Sequence, residues 1–148
     1  MNHPNKREFA GVLSIIGQPS DKAPSGARGH KIILTEDAVR KSLATLIGMG
    51  INVSTDKHKA DSKVGIIDAA EIRGKEIVVS GYIFARDCPA VIEQLQGSTD
   101  YGMSYELADA HIEDMRAEVW VVTRLTFTGA AVLLRENVAY RLTNFVLL

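Results

Sequence analysis

Between Thr35 and Gly48 the apolar residues Val39, Leu43, Leu46 and Ile47 recur at the spacing of one helical face. Thr35 is placed to cap that helix, Glu36 and Asp37 suit the positive end of its dipole, and Gly48 can close it. A second, shorter helix is expected from Asp87 as cap, with Pro89 in the first turn and Val91, Ile92 and Leu95 inward, to Gly97. The rest of the chain reads as strands. Gly11 to Ile16 is a short apolar run, followed by a loop over 17–29 so rich in Gly, Pro and Ser that it should be exposed, as a flap over a cleft. Val64 to Ile72 and Glu76 to Ala85 form a hairpin across Arg73, Gly74 and Lys75. Both faces of the second of these runs are largely apolar, which makes it a central strand.

Further strands follow at Gly102 to Leu107 and over a long run from Asp114 to Phe127, with short ones at Ala130 to Leu134 and Phe145 to Leu148. In the long run Met115, Ala117, Val119, Val121, Leu125 and Phe127 share one parity and should face the core. Asp114, Arg116, Glu118, Trp120 and Arg124 share the other, a polar face free to carry chemistry. Many short strands with two peripheral helices predict an α+β, β-dominated fold, a mostly antiparallel barrel-like or strongly bent sheet rather than βαβ units.

Composition narrows the class. At 148 residues the chain suits one domain, 1–148, with a core large enough to need no disulfide or structural metal. Its single cysteine, Cys88, has no internal partner and is read as structural. A net charge of −1 leaves no positive field to hold a nucleic-acid backbone. No apolar stretch is long enough to be a membrane span, and the polar start Asn2 to Glu8 is no secretion signal.

The common phosphate-loop, zinc and hydrolase-elbow motifs are absent, and the four histidines, His3, His30, His58 and His111, are far apart in sequence. Any site must therefore be assembled by folding. His58 lies between Lys57 and Lys59, whose charges disfavour its protonated form and suit it to act as a general base; as a loop histidine it needs no function. Ser104 lies on the strand face opposite Met103, Tyr105 and Leu107 and becomes a nucleophile only with a base in reach.

The order of segments resembles the tailed-phage prohead (capsid maturation) proteases. It runs from Val79–Ala85 before the second helix, with His58 ahead of it, through Ser104 in Gly-Met-Ser-Tyr-Glu and Glu118-Val119-Trp120-Val121-Val122-Thr123 to Phe127-Thr128-Gly129-Ala130-Ala131. The likeness spans about Phe9 to Leu134, and Trp120 stands where serine is common in the family. That family is similar in fold to the herpesvirus assemblins.

The resemblance implies a serine endopeptidase with Ser104 as nucleophile and His58 as base, in the chain order His, Ser, acid. Glu118 takes the family's acidic position, with Asp114 and, by the assemblin pattern, His111 as alternates. A hairpin centred on His111 would put Ser104 opposite Glu118, and a shift of two residues would put it opposite Arg116, with Asp114 and Glu118 both diagonal to it. Arg124 is the weak candidate for the oxyanion site. The expected substrates are the scaffold and major capsid protein extensions, and the enzyme itself, inside the procapsid assembling in the host cytoplasm. A homodimer is expected by analogy, and a longer precursor would suit the apolar end Phe145 to Leu148. No cofactor or metal is implied. The competing readings are a catalytically inactive protease-fold protein serving capsid assembly, and a metal-dependent hydrolase using His30, His58, His111 and Asp114.

Overall fold

The computed structural model describes residues 2–54, 62–97 and 100–148. The elements run β1 (Lys6–Ile15), β2 (Lys31–Leu34), α1 (Glu36–Ser42) with a 3-10 extension (Leu43–Leu46), β3 (Gly50–Val53), β4 (Gly65–Arg73), β5 (Glu76–Phe84), α2 (Pro89–Gln96), β6 (Tyr101–Ile112), β7 (Val119–Leu134) and β8 (Asn144–Leu147). They form one sheet in the order β2-β7-β3-β4-β5-β1-β8, with β6 paired to β7 off that path. The sheet curls into a half-barrel, and the fold is β-dominated as expected.

The sixteen-residue β7 is the spine. Along one edge it pairs antiparallel with β6. Its other edge is shared by two short parallel strands, β2 against Val119–Val122 and β3 against Ala130–Val132. The chain between them, α1 and its extension, packs over β7 and fills the gap with side chains. Thr35 Oγ1 donates to the Val122 carbonyl at 3.0 Å, and Thr45 Oγ1 accepts from the Phe127 amide at 3.0 Å. The Val122 carbonyl thus accepts from both the backbone and the side chain of Thr35, and the Phe127 amide finds a side-chain acceptor between the two short strands. Thr35 also caps α1, its oxygen accepting from Ala38 N–H at 3.3 Å. The backbone turns away at Gly48, whose φ of 87° favours glycine.

The hairpin β4–β5 turns at Gly74, and β5 is central, between β4 and β1. Ile77, Val79 and Ile83 enter the core with Phe9, Leu13, Ile67, Val39 and Leu46.

Several expectations are corrected. β1 begins at Lys6, ahead of its apolar run, because pairing with β5 carries it outward. The 17–29 loop is not wholly exposed: Ser20 and Ala27 are buried, and Ser20 Oγ accepts from Ile32 N–H at 3.0 Å. Ile47 and Met115, both expected inside, are exposed. In α2 Cys88 rather than Asp87 holds the cap position, and of its apolar residues only Leu95 is fully buried. The alternation assigned to β7 inverts in its first half, where Trp120 and Val122 are buried and Val119 and Val121 half-buried. The cause is a bulge. His111 pairs Arg124 and Ile112 pairs Val122, so Thr123 is an extra residue that flips the strand's faces.

Candidate active site

Ser104 sits in a regular stretch of β6, opposite Ala131 of β7, which in turn pairs Asn52 of β3. Directly paired residues share a face, so Ser104, Ala131 and Asn52 form a row across three strands, with the smallest side chain in the middle. Two residues on, Glu106 faces the same way, opposite Gly129. Its carboxylate lies across that glycine. Oε2 accepts from Asn52 Nδ2 at 2.8 Å, and Oε1 pairs with Lys63 Nζ. Asn52 Nδ2 also donates to the Ala130 carbonyl at 3.1 Å.

This is a charged cluster in a nearly closed setting. Asn52 is wholly buried, Ser104 is 8% exposed, and the Glu106 and Lys63 side chains are 12% and 28% exposed. Gly129 makes the arrangement possible, because a Cβ there would lie 2.6 Å from both Glu106 Oε1 and Lys63 Nζ. The sequence reading passed over Glu106, Asn52 and Lys63. The available signal was the parity of Ser104 and Glu106 on one short strand, but the parallel pairing of β3 with β7 leaves no local trace.

His58 lies outside the described residues. The strand before it, β3, ends beside the serine row at Val53, and Ser54 N–H donates to the Val132 carbonyl at 3.0 Å.

The expected hairpin register does not form. Ser104 is opposite Ala131, not Glu118, because the turn falls after Ile112 and β7 runs on to Leu134. Glu118, Asp114 and His111 are therefore gathered at the opposite end of the ladder, all exposed. Glu118 contributes its carbonyl to His30 Nδ1–H at 2.9 Å, and Asp114 Oδ1 accepts from Arg116 N–H at 2.9 Å within a turn. Arg124, opposite His111, is exposed at that same end. The pairing brings none of these four to Ser104. Of the alternative metal set, His58 lies outside the described residues, and among the described residues no three His, Cys, Asp or Glu side chains are placed to hold an ion.

A cleft of about 340 Å³ opens beside β6. Pro24 to Ala27 form one wall and Ile32, Leu107, Ile112, Trp120 and Val122 the apolar remainder, with Glu106 also in the lining. Trp120 is fixed there by stacking on His30, ring centres 4.3 Å apart, and by Nε1–H donating to the Met115 carbonyl at 3.1 Å. Tyr105 also lines the cleft. Its hydroxyl is buried without a hydrogen-bond partner among the described residues, and burial pushes its ionisation far up.

A β-dominated, curled half-barrel sheet with two helices is the assemblin-like fold. Solved structures bear this out. The chain is similar to the KSHV protease, crystallised in complex with a hexapeptide phosphonate inhibitor, with a TM-score of 0.57, 13% identity and 95% of this chain covered. It spans 64% of that herpesvirus chain's length. It is also similar to gp21, the capsid assembly protease of bacteriophage T4, with a TM-score of 0.51, 10% identity, 87% of this chain covered and 98% of that one. No family model matches the chain, and no curated protein sequence is similar to it.

Proposed function

We propose that this chain is a serine endopeptidase of phage capsid maturation, with Ser104 as nucleophile and His58 as general base. Ser104 Oγ attacks the scissile carbonyl as His58 takes its proton; the C–N bond then breaks, with the proton passing to the leaving amine. Water, deprotonated by the same imidazole, hydrolyses the acyl-enzyme and restores the serine. The observation that carries this reading is the position of Ser104, buried beside a built charged cluster on a fold otherwise met in capsid proteases.

The substrates we propose are the scaffold protein and the extension of the major capsid protein, inside the procapsid, together with the chain itself and acting as a homodimer.

Intact-mass spectrometry on the protein co-expressed with its neighbouring scaffold and capsid proteins tests this. Wild type and Ser98→Ala should yield the same fragments, and Ser104→Ala none. Fragments that persist in Ser104→Ala would overturn the assignment of the serine. Their absence from wild type, with assembly still dependent on the protein, would make it an inactive assembly component.

A further inference from the structure

We infer that the cleft between the 24–27 loop and the sheet is a second binding site, for a small uncharged molecule with an apolar body and one hydrogen-bond acceptor, to which the Tyr105 hydroxyl donates. The site goes beyond the serine peptidase reading and does not depend on it.

The cleft lies against the sheet face that Ser104 does not share. Tyr105 and Leu107 alternate with Ser104 and Glu106 along β6, and across the ladder Ile112 is opposite Val122 and Trp120 opposite Ile32. These side chains and the 24–27 loop bound a space of about 340 Å³, within the range of pockets that take small ligands. Its wall is preformed. Trp120 is stacked on His30, and its indole N–H is already engaged by the Met115 carbonyl, so it offers the cleft only apolar surface.

Tyr105 sets what an occupant must carry. It is 8% exposed, and its hydroxyl is buried with no hydrogen-bond partner among the described residues. Buried polar groups are nearly always partnered, and leaving one without a partner costs the free protein stability. Tyr140, near enough for its charge to raise the ionisation of Tyr105, gives its own hydroxyl to the carbonyls of Ile32 and Gln18. Burial, the larger cause of that rise, keeps the Tyr105 phenol neutral and able to donate. The charge of the occupant follows from the lining. Among the described residues Glu106 alone is charged there, and its carboxylate is taken up by Asn52 and Lys63. An anion would therefore leave water without a counter-charge, which disfavours it strongly.

The test is an NMR titration at pH 7 with cyclohexyl methyl ketone and with its charged isostere cyclohexanecarboxylate, in wild type, Tyr105→Phe and Ser104→Ala. In wild type the ketone should saturably shift the indole N–H of Trp120, the chain's single tryptophan, and the methyl signals of Leu107 and Ile112. The carboxylate should bind at least about tenfold more weakly. Tyr105→Phe should bind the ketone about two- to tenfold more weakly, the loss of one hydrogen bond. With no orphan hydroxyl to bury, it should also melt no lower than wild type in the absence of ligand. Ser104→Ala should bind the ketone as wild type does, because the serine lies on the other face of β6. Ketone shifts that are absent or centred elsewhere, equal ketone affinity in Tyr105→Phe, or a carboxylate bound as tightly as the ketone would overturn the site. So would a lower melting temperature in Tyr105→Phe, which would reveal a partner for the hydroxyl in the free protein. Loss of ketone binding in Ser104→Ala would join the cleft to the serine and overturn its separateness, whereas a Ser104 without peptidase activity leaves the inference standing.

Discussion

Gly129 lacks a side chain because its neighbours leave no room for one. A Cβ would meet Glu106 Oε1 and Lys63 Nζ at 2.6 Å and the Gly50 carbonyl oxygen at 2.8 Å. The long side chains can yield, but the backbone oxygen cannot without parting β3 from β7. Gly129→Ala is therefore expected to lose about 1–3 kcal/mol, the usual range for overpacking, in a urea titration. Residue by residue, the sequence pointed at Ser104 because a short motif surrounds it. It did not point at Glu106, whose place in the charged cluster depends on Asn52 and Lys63 arriving from β3 and its connection to β4. Glu118 was favoured for its place in a motif, and register, a property of two strands together, moved it away.

Among the elements, the join between β6, the turn after β7 and the approach to β8 depends on Arg135. Its guanidinium donates to the carbonyls of Thr143 at 2.5 Å, Tyr101 at 3.0 Å and Arg141, and Nε to Asp100 Oδ2 at 2.7 Å. Arg135→Met should cost about 2–3 kcal/mol in chemical denaturation, since hydrogen bonds to charged groups carry about 1.5–3 kcal/mol and several carbonyls would lose their donor at once. Arg135→Lys should recover only part of that loss, lacking the planar fork. Asp100, fully exposed, is held below the usual carboxylate range by its hydrogen bond to Arg135, yet Asp100→Asn should leave the denaturation midpoint nearly unmoved because water screens the pair. The amphipathic α1 and its threonine cap were legible because both signals are local. β2 and β3 went unread because four residues pairing in parallel with a distant strand leave no periodicity to find. The β7 faces were misassigned beyond the bulge at Thr123, since one inserted residue inverts every assignment on its far side.

Over the whole molecule, the core holds two phenols whose ionisation folding opposes. Burial raises Tyr105 first and the nearby Tyr140 second, while Tyr140 is raised by burial and then by the charge of Asp21. The Tyr140 hydroxyl donates to the carbonyls of Ile32 and Gln18, at 3.0 Å and 3.1 Å. Because both folded values lie above the ordinary 10.0, the stability they contribute is complete below that pH and drains away as pH rises beyond it. Urea unfolding from pH 8 to pH 11.5 should show this decline, and Tyr140→Phe should be weaker at pH 8 by about 0.5–1.5 kcal/mol but flatter above pH 10. Such a core supports a sheet whose pairing places Ser104 and the Glu106 carboxylate on one face. The direct measurement is intact-mass spectrometry and peptide mapping after exposure of the folded and the urea-unfolded protein to a fluorophosphonate. A single adduct on Ser104, formed only in the folded protein and absent from Ser104→Ala, is the predicted result. No adduct, or one elsewhere in the chain that survives unfolding, would contradict it.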